Sequence, residues 1–322
     1  MFKRGDSGQQ EVLRLGTRGS PLALRQAGLV AEALGNRWQD LEVGLIPIKT
    51  SGDRLLDVRL AESGGKGLFV KEIEEALLEG RIDLAVHSLK DLPAELPPGL
   101  GLGAMLPRED PLDALVSRDG LGFADLPQGA RIGTGSLRRQ VQLLNRRPDL
   151  QVVPLRGNVE TRLKKLETLG FDALVLAAAG LIRLGLQERI TERLHPDLCL
   201  PAIGQGALAI EIRVDDRRVA ALVERVDHRE TRLATTAERA FLQRLGGSCV
   251  TPVAAYGRIE GDVLVLTGMV ASLDGRRMVR RVRRGEAGMP EQVGWALAEE
   301  LLDAGADEIL REIDPRLLAG RR

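Results

Sequence analysis

Leu15-Gly16-Thr17-Arg18-Gly19-Ser20-Pro21-Leu22-Ala23 near the start of the chain and Arg131-Ile132-Gly133-Thr134-Gly135-Ser136-Leu137-Arg138-Arg139 in its middle are two copies of one local design. In each, a short apolar run enters a Gly-Thr pair, and a serine follows where a helical pattern begins. Serine at that place can accept a hydrogen bond from the free backbone N–H groups of the first turn, and Pro21 suits the first helical position because its missing N–H is not needed there. The design is therefore strand, tight loop, helix, with the positive helix end facing the loop. Such an end attracts anions. Two of them facing each other would frame a cleft for a polyanion.

Reading outward from the first copy, Val12 to Gly16 is a strand, the helix runs to Leu34, and Leu41 to Ile48 alternates into a second strand. Gly64-Gly65-Lys66-Gly67 forms a loop, Leu68 to Leu78 has helical spacing at Phe69, Ile73, Ala76 and Leu77, and Leu84 to Val86 is a short buried strand. Around the second copy, Val152 to Leu155 and Ala173 to Ala177 are strands with the helix Val159 to Leu169 between them, and Pro201 to Gly206 returns the chain. The alternation predicts α/β units with mainly parallel pairing. From Thr231 the pattern changes to a helix ending at Leu245, then strands at Val253 to Ile259, Val263 to Ala271 and Met278 to Arg283, then a helix from Glu291 to Ala304. Turns at Glu260-Gly261 and Asp274-Gly275 mark antiparallel hairpins. The predicted class is two α/β domains around a cleft plus a small C-terminal α+β domain, divided as 1–106 with the return segment 207–226, 107–206, and 227–322.

A length of 322 residues suits two or three domains, and 43% hydrophobic with 29% charged residues suits an ordinary globular chain. A formal net charge of zero argues against bulk attraction to nucleic acid or anionic lipid. Eight aromatic residues are too few for a row of base-stacking platforms. Cys199 and Cys249 stand far apart with only His87, His195 and His228 in the chain, so neither a disulfide framework nor a metal site is encoded. Met1 to Glu11 is polar and no apolar run approaches the length of a membrane span, which predicts a cytoplasmic protein. No heptad or broad apolar stripe calls for a partner, so a monomer is expected.

Several catalytic templates fail. Gly65-Lys66 lacks both the first glycine of a phosphate loop and the Ser or Thr after the lysine. His87-Ser88 are chain neighbours, which does not set a base against a nucleophile, and no nucleophile elbow is present. Asp91 remains, following the strand that enters His87-Ser88-Leu89-Lys90-Asp91, at the carboxyl end where α/β sheets place ligand crevices. The residues alone leave two readings of Lys90-Asp91: a solvated loop pair, or a carboxylate held beside cations. Arg18, Arg138, Arg139, Arg156 and Arg162 all fall in loops or first helical turns, where arginine opposes the helix dipole unless an anion is bound. Cys249 follows a helix C-terminus in a Gly-rich loop, and nothing local marks its thiol as activated. The basic run Arg276 to Arg284 reads as a solvated strand face.

Seven ordered blocks carry a resemblance over nearly the whole chain. They are the first copy above, Gly64-Gly65-Lys66-Gly67-Leu68-Phe69, His87-Ser88-Leu89-Lys90-Asp91-Leu92-Pro93, the second copy, Leu155-Arg156-Gly157-Asn158-Val159, Ala177-Ala178-Ala179-Gly180-Leu181 and Gly204-Gln205-Gly206. Together they resemble the porphobilinogen deaminase (hydroxymethylbilane synthase) family. That resemblance implies two cleft-forming domains like those of periplasmic solute-binding proteins, and a third domain whose cysteine carries a covalent dipyrromethane cofactor. Cys249 occupies that place, in Gly246-Gly247-Ser248-Cys249, one residue further from the glycines than in many relatives. Asp91 is then the catalytic carboxylate. Arg18, Arg138, Arg139, Arg156 and Arg162 would pair with acetate and propionate groups of the substrate porphobilinogen, using the bidentate fork that suits carboxylates. Lys90, Ser20, Thr134, Ser136 and Gln205 would add contacts, with Lys90, Arg138 and Arg139 also holding the cofactor, and Lys66 on a mobile loop near the cleft.

The resemblance implies a transferase that joins four porphobilinogen molecules into hydroxymethylbilane, with neither nucleic acid nor membrane as partner. Two rival readings are a solute-binding module, weakened by the missing export signal and the added third domain, and an RNA-binding protein using Arg276 to Arg284, weakened by zero net charge and few aromatics.

Overall fold

Three sheets organise the chain in a computed structural model, which describes residues 12–51, 70–246 and 251–314. The first sheet has the order β2-β1-β3-β10-β4, from β1 (Leu13–Arg18), β2 (Val43–Ile48), β3 (Leu84–Ser88), β4 (Leu100–Met105) and β10 (Leu208–Arg213). The second has the order β7-β6-β8-β5-β9, from β5 (Asp113–Ser117), β6 (Arg131–Gly133), β7 (Gln151–Val153), β8 (Ala173–Ala177) and β9 (Glu192–Leu194). The two sheets share one plan. Three neighbouring strands are parallel, and a fourth, β10 or β5, runs antiparallel to both its neighbours.

The expectation of mainly parallel pairing is therefore corrected to mixed sheets. The cause is the path of the chain, which leaves the first sheet after β4, builds the second, and returns to insert β10 between β3 and β4. Outgoing and returning crossings lie side by side, with Leu106 N donating to Leu208 O and Glu109 N donating to Gly206 O. Gly206 has φ 88°, and a Cβ there would stand 2.3 Å from Glu109 O, so only glycine fits the returning crossing.

Both Gly-Thr loops follow close-packed strands. A Cβ at Gly16 would meet Ile82 Cδ1 at 2.3 Å, and one at Gly133 would meet Leu174 Cδ2 at 2.6 Å, so each glycine lets a neighbouring side chain close over the strand. Helix α1 (Pro21–Arg37) then buries Ala27, Val30 and Leu34 against β1 and β3, sharing a core with Val219, Leu222 and Val223 of α6 (Arg217–Glu224). Ser20 caps α1, accepting from Ala23 N at 3.3 Å. The second copy differs. Ser136, ahead of α3 (Leu137–Arg146), makes no capping bond with its side chain, and its own N–H donates instead to Thr134 Oγ1 at 3.3 Å.

The third body packs α7 (Arg229–Leu245) and α8 (Pro290–Leu301) on the antiparallel sheet β11 (Val253–Glu260), β12 (Val263–Ala271) and β13 (Met278–Glu286), around the buried Phe241, Leu266 and Leu297. The last helical stretch is not continuous. The chain bends at Gly305 (φ 96°) before α9 (Asp307–Ile313). Gly246, left-handed at φ 65°, ends α7 by donating its N–H to Gln243 O and Leu242 O. Val141 and Leu200 of the second body share a small core with Ala254, Met269 and Ala271 of the third.

Candidate active site

Strand β3 ends in the turn Leu89–Asp91, which projects Lys90 and Asp91 from the first sheet. Beneath it, buried His87 lies with Nε2 3.0 Å from Glu211 Oε2 on β10, and Ser88 Oγ accepts from Gln26 Nε2 at 2.9 Å. His87 and Ser88 thus hold the strand in place and do not face each other as base and nucleophile. Leu89 is buried under the turn, while Asp91 is exposed and its side chain makes no hydrogen bond among the described residues.

A cleft of about 240 Å³ opens at this turn and brings all three bodies together. Leu89 to Leu92 form one wall, Ser136, Arg138 and Arg139 from the start of α3 another, and Arg239, Leu242, Thr251 and Val253 of the third body the floor. Ala202, Ile203 and Gln205 of the returning crossing complete it.

The cations around the cleft are of two kinds. Burial in the cleft pushes the Lys90 ammonium down to about 8, with Asp91 opposing the shift and Arg139 adding to it. Arg162, in the first turn of α4 (Val159–Thr168), is pulled down to about 10 by burial; Arg139 reinforces this and Asp91 opposes it, which sets Arg162 within electrostatic reach of both. Its Nε donates to Gly157 O at 2.8 Å. Both cations thus interact electrostatically with Asp91.

Arg138 and Arg139, by contrast, turn inward to Asp113, the first residue of β5. Arg138 Nη1 and Nη2 lie 2.7 and 3.1 Å from its two oxygens, and Arg139 Nε lies 2.9 Å from Oδ1. Arg138 also donates to Leu200 O, and Arg139 donates to Val175 O at 3.0 Å. Burial alone would raise the Asp113 carboxyl, but the two guanidiniums overcome it and hold that group well below the usual carboxylate range. The conflict between arginine and the α3 dipole is thus answered from within the protein. Gln205 is likewise engaged: Nε2 donates to Pro111 O at 2.7 Å and Asp113 Oδ1 at 2.9 Å, while Oε1 accepts from Lys90 at 3.4 Å and Arg139 at 3.5 Å.

Of the other predicted site residues, Arg18 ends β1 half-buried, and Ser20 keeps its O–H available while its oxygen caps α1. Thr134 is buried in the second Gly-Thr loop, Ser136 lines the cleft, and Arg156 is exposed between β7 and α4. Cys249 and Lys66 lie outside the described residues.

Most of the chain matches one family in two consecutive pieces. Residues 13–221 match the family model "Porphobilinogen deaminase, dipyromethane cofactor binding domain", and residues 232–303 match "Porphobilinogen deaminase, C-terminal domain". The chain belongs to the porphobilinogen deaminase family. Curated relatives named porphobilinogen deaminase include those of Geobacter metallireducens, 56% identical over 95% of this chain and 96% of that one, and Geotalea uraniireducens, 55% identical over the same shares. Among solved structures, the chain is similar to the VFT2 domain of Bordetella pertussis BvgS, with a TM-score of 0.40 and 17% identity, covering 67% of this chain and 86% of that one.

Set against the porphobilinogen deaminase motifs, the sequence reading passed over three side chains. Arg239 reaches the cleft from α7 and donates to Pro93 O and Ala94 O, both at 2.8 Å. Arg183, in the helix α5 (Ala178–Arg183), donates to Gly206 O at 2.6 Å, and burial draws it down to about 10 against the pull of Glu109. Asp113 is the third, and its signal was present: an acid opening an otherwise apolar strand, in a chain with an Arg-Arg pair to receive it. The basic run offers nothing comparable, since Arg276, Arg277, Arg280, Arg283 and Arg284 pair with Asp274, Glu312, Asp197, Glu300 and Glu260.

Proposed function

We propose that the cleft in front of Asp91 is where this porphobilinogen deaminase carries out its reaction, with Asp91 as the catalytic carboxylate. As a member of its family the chain deaminates porphobilinogen and joins four molecules head to tail into hydroxymethylbilane, releasing ammonia, in tetrapyrrole biosynthesis. The observation that carries the assignment is the state of Asp91: an exposed carboxylate with no side-chain hydrogen bond among the described residues, in a cleft whose other charged lining residues among them are cations.

Loss of ammonia from the substrate's aminomethyl arm leaves a cationic, electron-poor pyrrole. A carboxylate beside the ring nitrogen stabilises the charge as it develops and accepts or returns a proton there. Lys90 and Arg162 bring positive charge for the acetate and propionate arms. Arg18 and Arg156, with the O–H groups of Ser20, Thr134 and Ser136, extend that surface, while Arg138, Arg139 and Gln205 brace it from behind. Held between these cations, the substrate presents its ring nitrogen to Asp91 while its carboxylates stay away from it.

The dipyrromethane cofactor supplies the free pyrrole carbon to which the first substrate is joined. The donor set fits such a group: cations for its carboxylate arms and one carboxylate for its ring N–H groups. Cys249 is the proposed attachment point, and it stands two positions before Thr251, which lines the cleft. Cys199 is unsuited to the role, because burial first, and Asp113 next, push its thiol up and keep it protonated. Lys66 is assigned to a loop near the same cleft. The reading also takes the chain to be a cytoplasmic monomer that engages no nucleic acid or membrane; among the described residues no helix is long and apolar enough to cross a membrane.

Intact-protein mass spectrometry tests the proposal. The purified protein should exceed its sequence mass by one dipyrrole, mapped to the Cys249 peptide, with Cys199 unmodified. A fully active preparation with unmodified Cys249 would overturn the attachment.

A further inference from the structure

Asp113 is completely buried, yet five donors converge on its two oxygens. Oδ1 accepts from Arg138 Nη2, Arg139 Nε and Gln205 Nε2 at 3.1, 2.9 and 2.9 Å; Oδ2 accepts from Arg138 Nη1 at 2.7 Å and from the Cys199 thiol at 3.2 Å. Three of those donors come from the start of α3, one from the returning crossing and one from the segment just before it. The carboxylate therefore ties three separate stretches of chain to the first residue of β5.

Gln205 carries the connection onward. With Nε2 committed to Asp113 and Pro111 O, its amide has one orientation, and Oε1 must point at the two cations, Lys90 and Arg139. Lys90 stands on the turn of the first sheet, next to Asp91, whereas Asp113 opens a strand of the second. A single amide thus links a buried anion of one sheet to the ammonium beside the proposed catalytic carboxylate of the other. The charge count favours the same role. One carboxylate shared by two guanidiniums leaves a positive charge uncancelled behind the cleft wall, so the cluster is held rigid without being neutralised.

We infer that Asp113 is a positioning residue for the reaction: it fixes Arg138, Arg139 and Gln205, and through Gln205 Oε1 it sets the place of the Lys90 ammonium beside Asp91. The inference rests on the reading of the cleft given above and adds the residue that organises its cations. A purely structural ion pair would stabilise the fold and leave substrate binding indifferent to its loss, whereas the field of the Asp113 charge reaches Lys90 in either case.

KM for porphobilinogen, read together with the pH dependence of Lys90 reactivity in Asp113 and Gln205 variants, separates the two roles. The charged groups facing this amine are Asp91, Arg139, Asp113 and Arg138, and its titration lies near 8. Replacing Asp113 by Asn keeps the shape and removes an attractive charge while Arg138 and Arg139 keep repelling, so the Lys90 midpoint must move to lower pH. Competitive labelling of the purified protein with acetic anhydride, read by mass spectrometry on the Lys90 peptide, should show that shift in Asp113→Asn. The same variant should raise KM for porphobilinogen by about tenfold, the scale of one charge-assisted hydrogen bond, with a smaller change in kcat, and Asp113→Glu should recover part of it. An unchanged Lys90 midpoint and unchanged KM in folded Asp113→Asn would overturn the inference.

If Asp113→Asn does not fold, Gln205→Leu decides, because it cuts the link to Lys90 and leaves both arginines their counter-ion. A lowered Lys90 midpoint in that variant supports the relay, and an unmoved one overturns it. Failure of the cleft reading is a different result: it would appear as full activity in Asp91→Asn, whatever Lys90 does.

Discussion

Asp91 and Asp113 are both carboxylates beside the same cleft, and their surroundings could hardly differ more. Asp91 sits on a turn at the end of β3, exposed and with no hydrogen bond of its side chain among the described residues. Asp113 starts β5 fully buried, gripped by two arginines, a glutamine and a thiol. The first has its lone pairs available to a substrate; the second has spent them on the protein. A charged residue near a cleft is thus not a single category. What separates a group that reacts from one that arranges is whether its hydrogen-bonding capacity is left open to the cleft.

The sharpest way to strain this comparison is to remove a partner from the buried side. Arg138→Leu leaves Asp113 with one guanidinium in place of two, and breaking a buried ion pair from one side costs about 3–5 kcal/mol. Urea denaturation should show a loss of that size, together with a lower fraction of cofactor-loaded protein, since Arg139 then neutralises Asp113 alone and the cleft wall loses its surplus charge. A variant as stable as the parent and normally loaded would mean that the Asp113 cluster arranges nothing.

Acid titration gives a smaller effect on the same axis. Asp113 is held below the usual carboxylate range in the folded protein, so above the unfolded-state value near 4 it contributes its full stabilisation. That contribution is lost as pH falls from about 4 toward the depressed folded-state value, because the unfolded chain takes up the proton first. Between pH 5 and 2 the parent's stability should therefore fall more steeply than that of Asp113→Asn. Parallel curves in urea melts across that range would contradict the assignment of Asp113 as a charged anchor.

How far this was readable beforehand follows from how local each feature is. The two Gly-Thr loops were legible as strand-to-helix turns because turn chemistry acts within a few residues, although only Ser20 caps its helix with its side chain and Ser136 does not. The third body was legible for the same reason: β12 spans Val263–Ala271 between the turns at Glu260-Gly261 and Asp274-Gly275. The reversed strand β10 was not, because nothing in Leu208–Arg213 signals its direction, and only its place between β3 and β4 decides the matter. Asp113 was hidden by distance along the chain, with its arginines 25 and 26 positions away. The resemblance implied Arg138, Arg139 and Gln205 as ligand contacts on motif alone; the structure adds that all three also bond one buried acid, Asp113.

The central claim is that the open carboxylate, Asp91, carries the chemistry. Single-turnover release of ammonia from porphobilinogen by cofactor-loaded Asp91→Asn protein tests it most directly, because the substitution keeps the size and removes the charge. The rate should fall by roughly 10²-fold or more, while the covalent cofactor remains and thermal stability barely changes, as expected where an exposed side chain with no hydrogen bond is altered. A rate within a few-fold of the parent would contradict the account and return Asp91 to an ordinary surface turn.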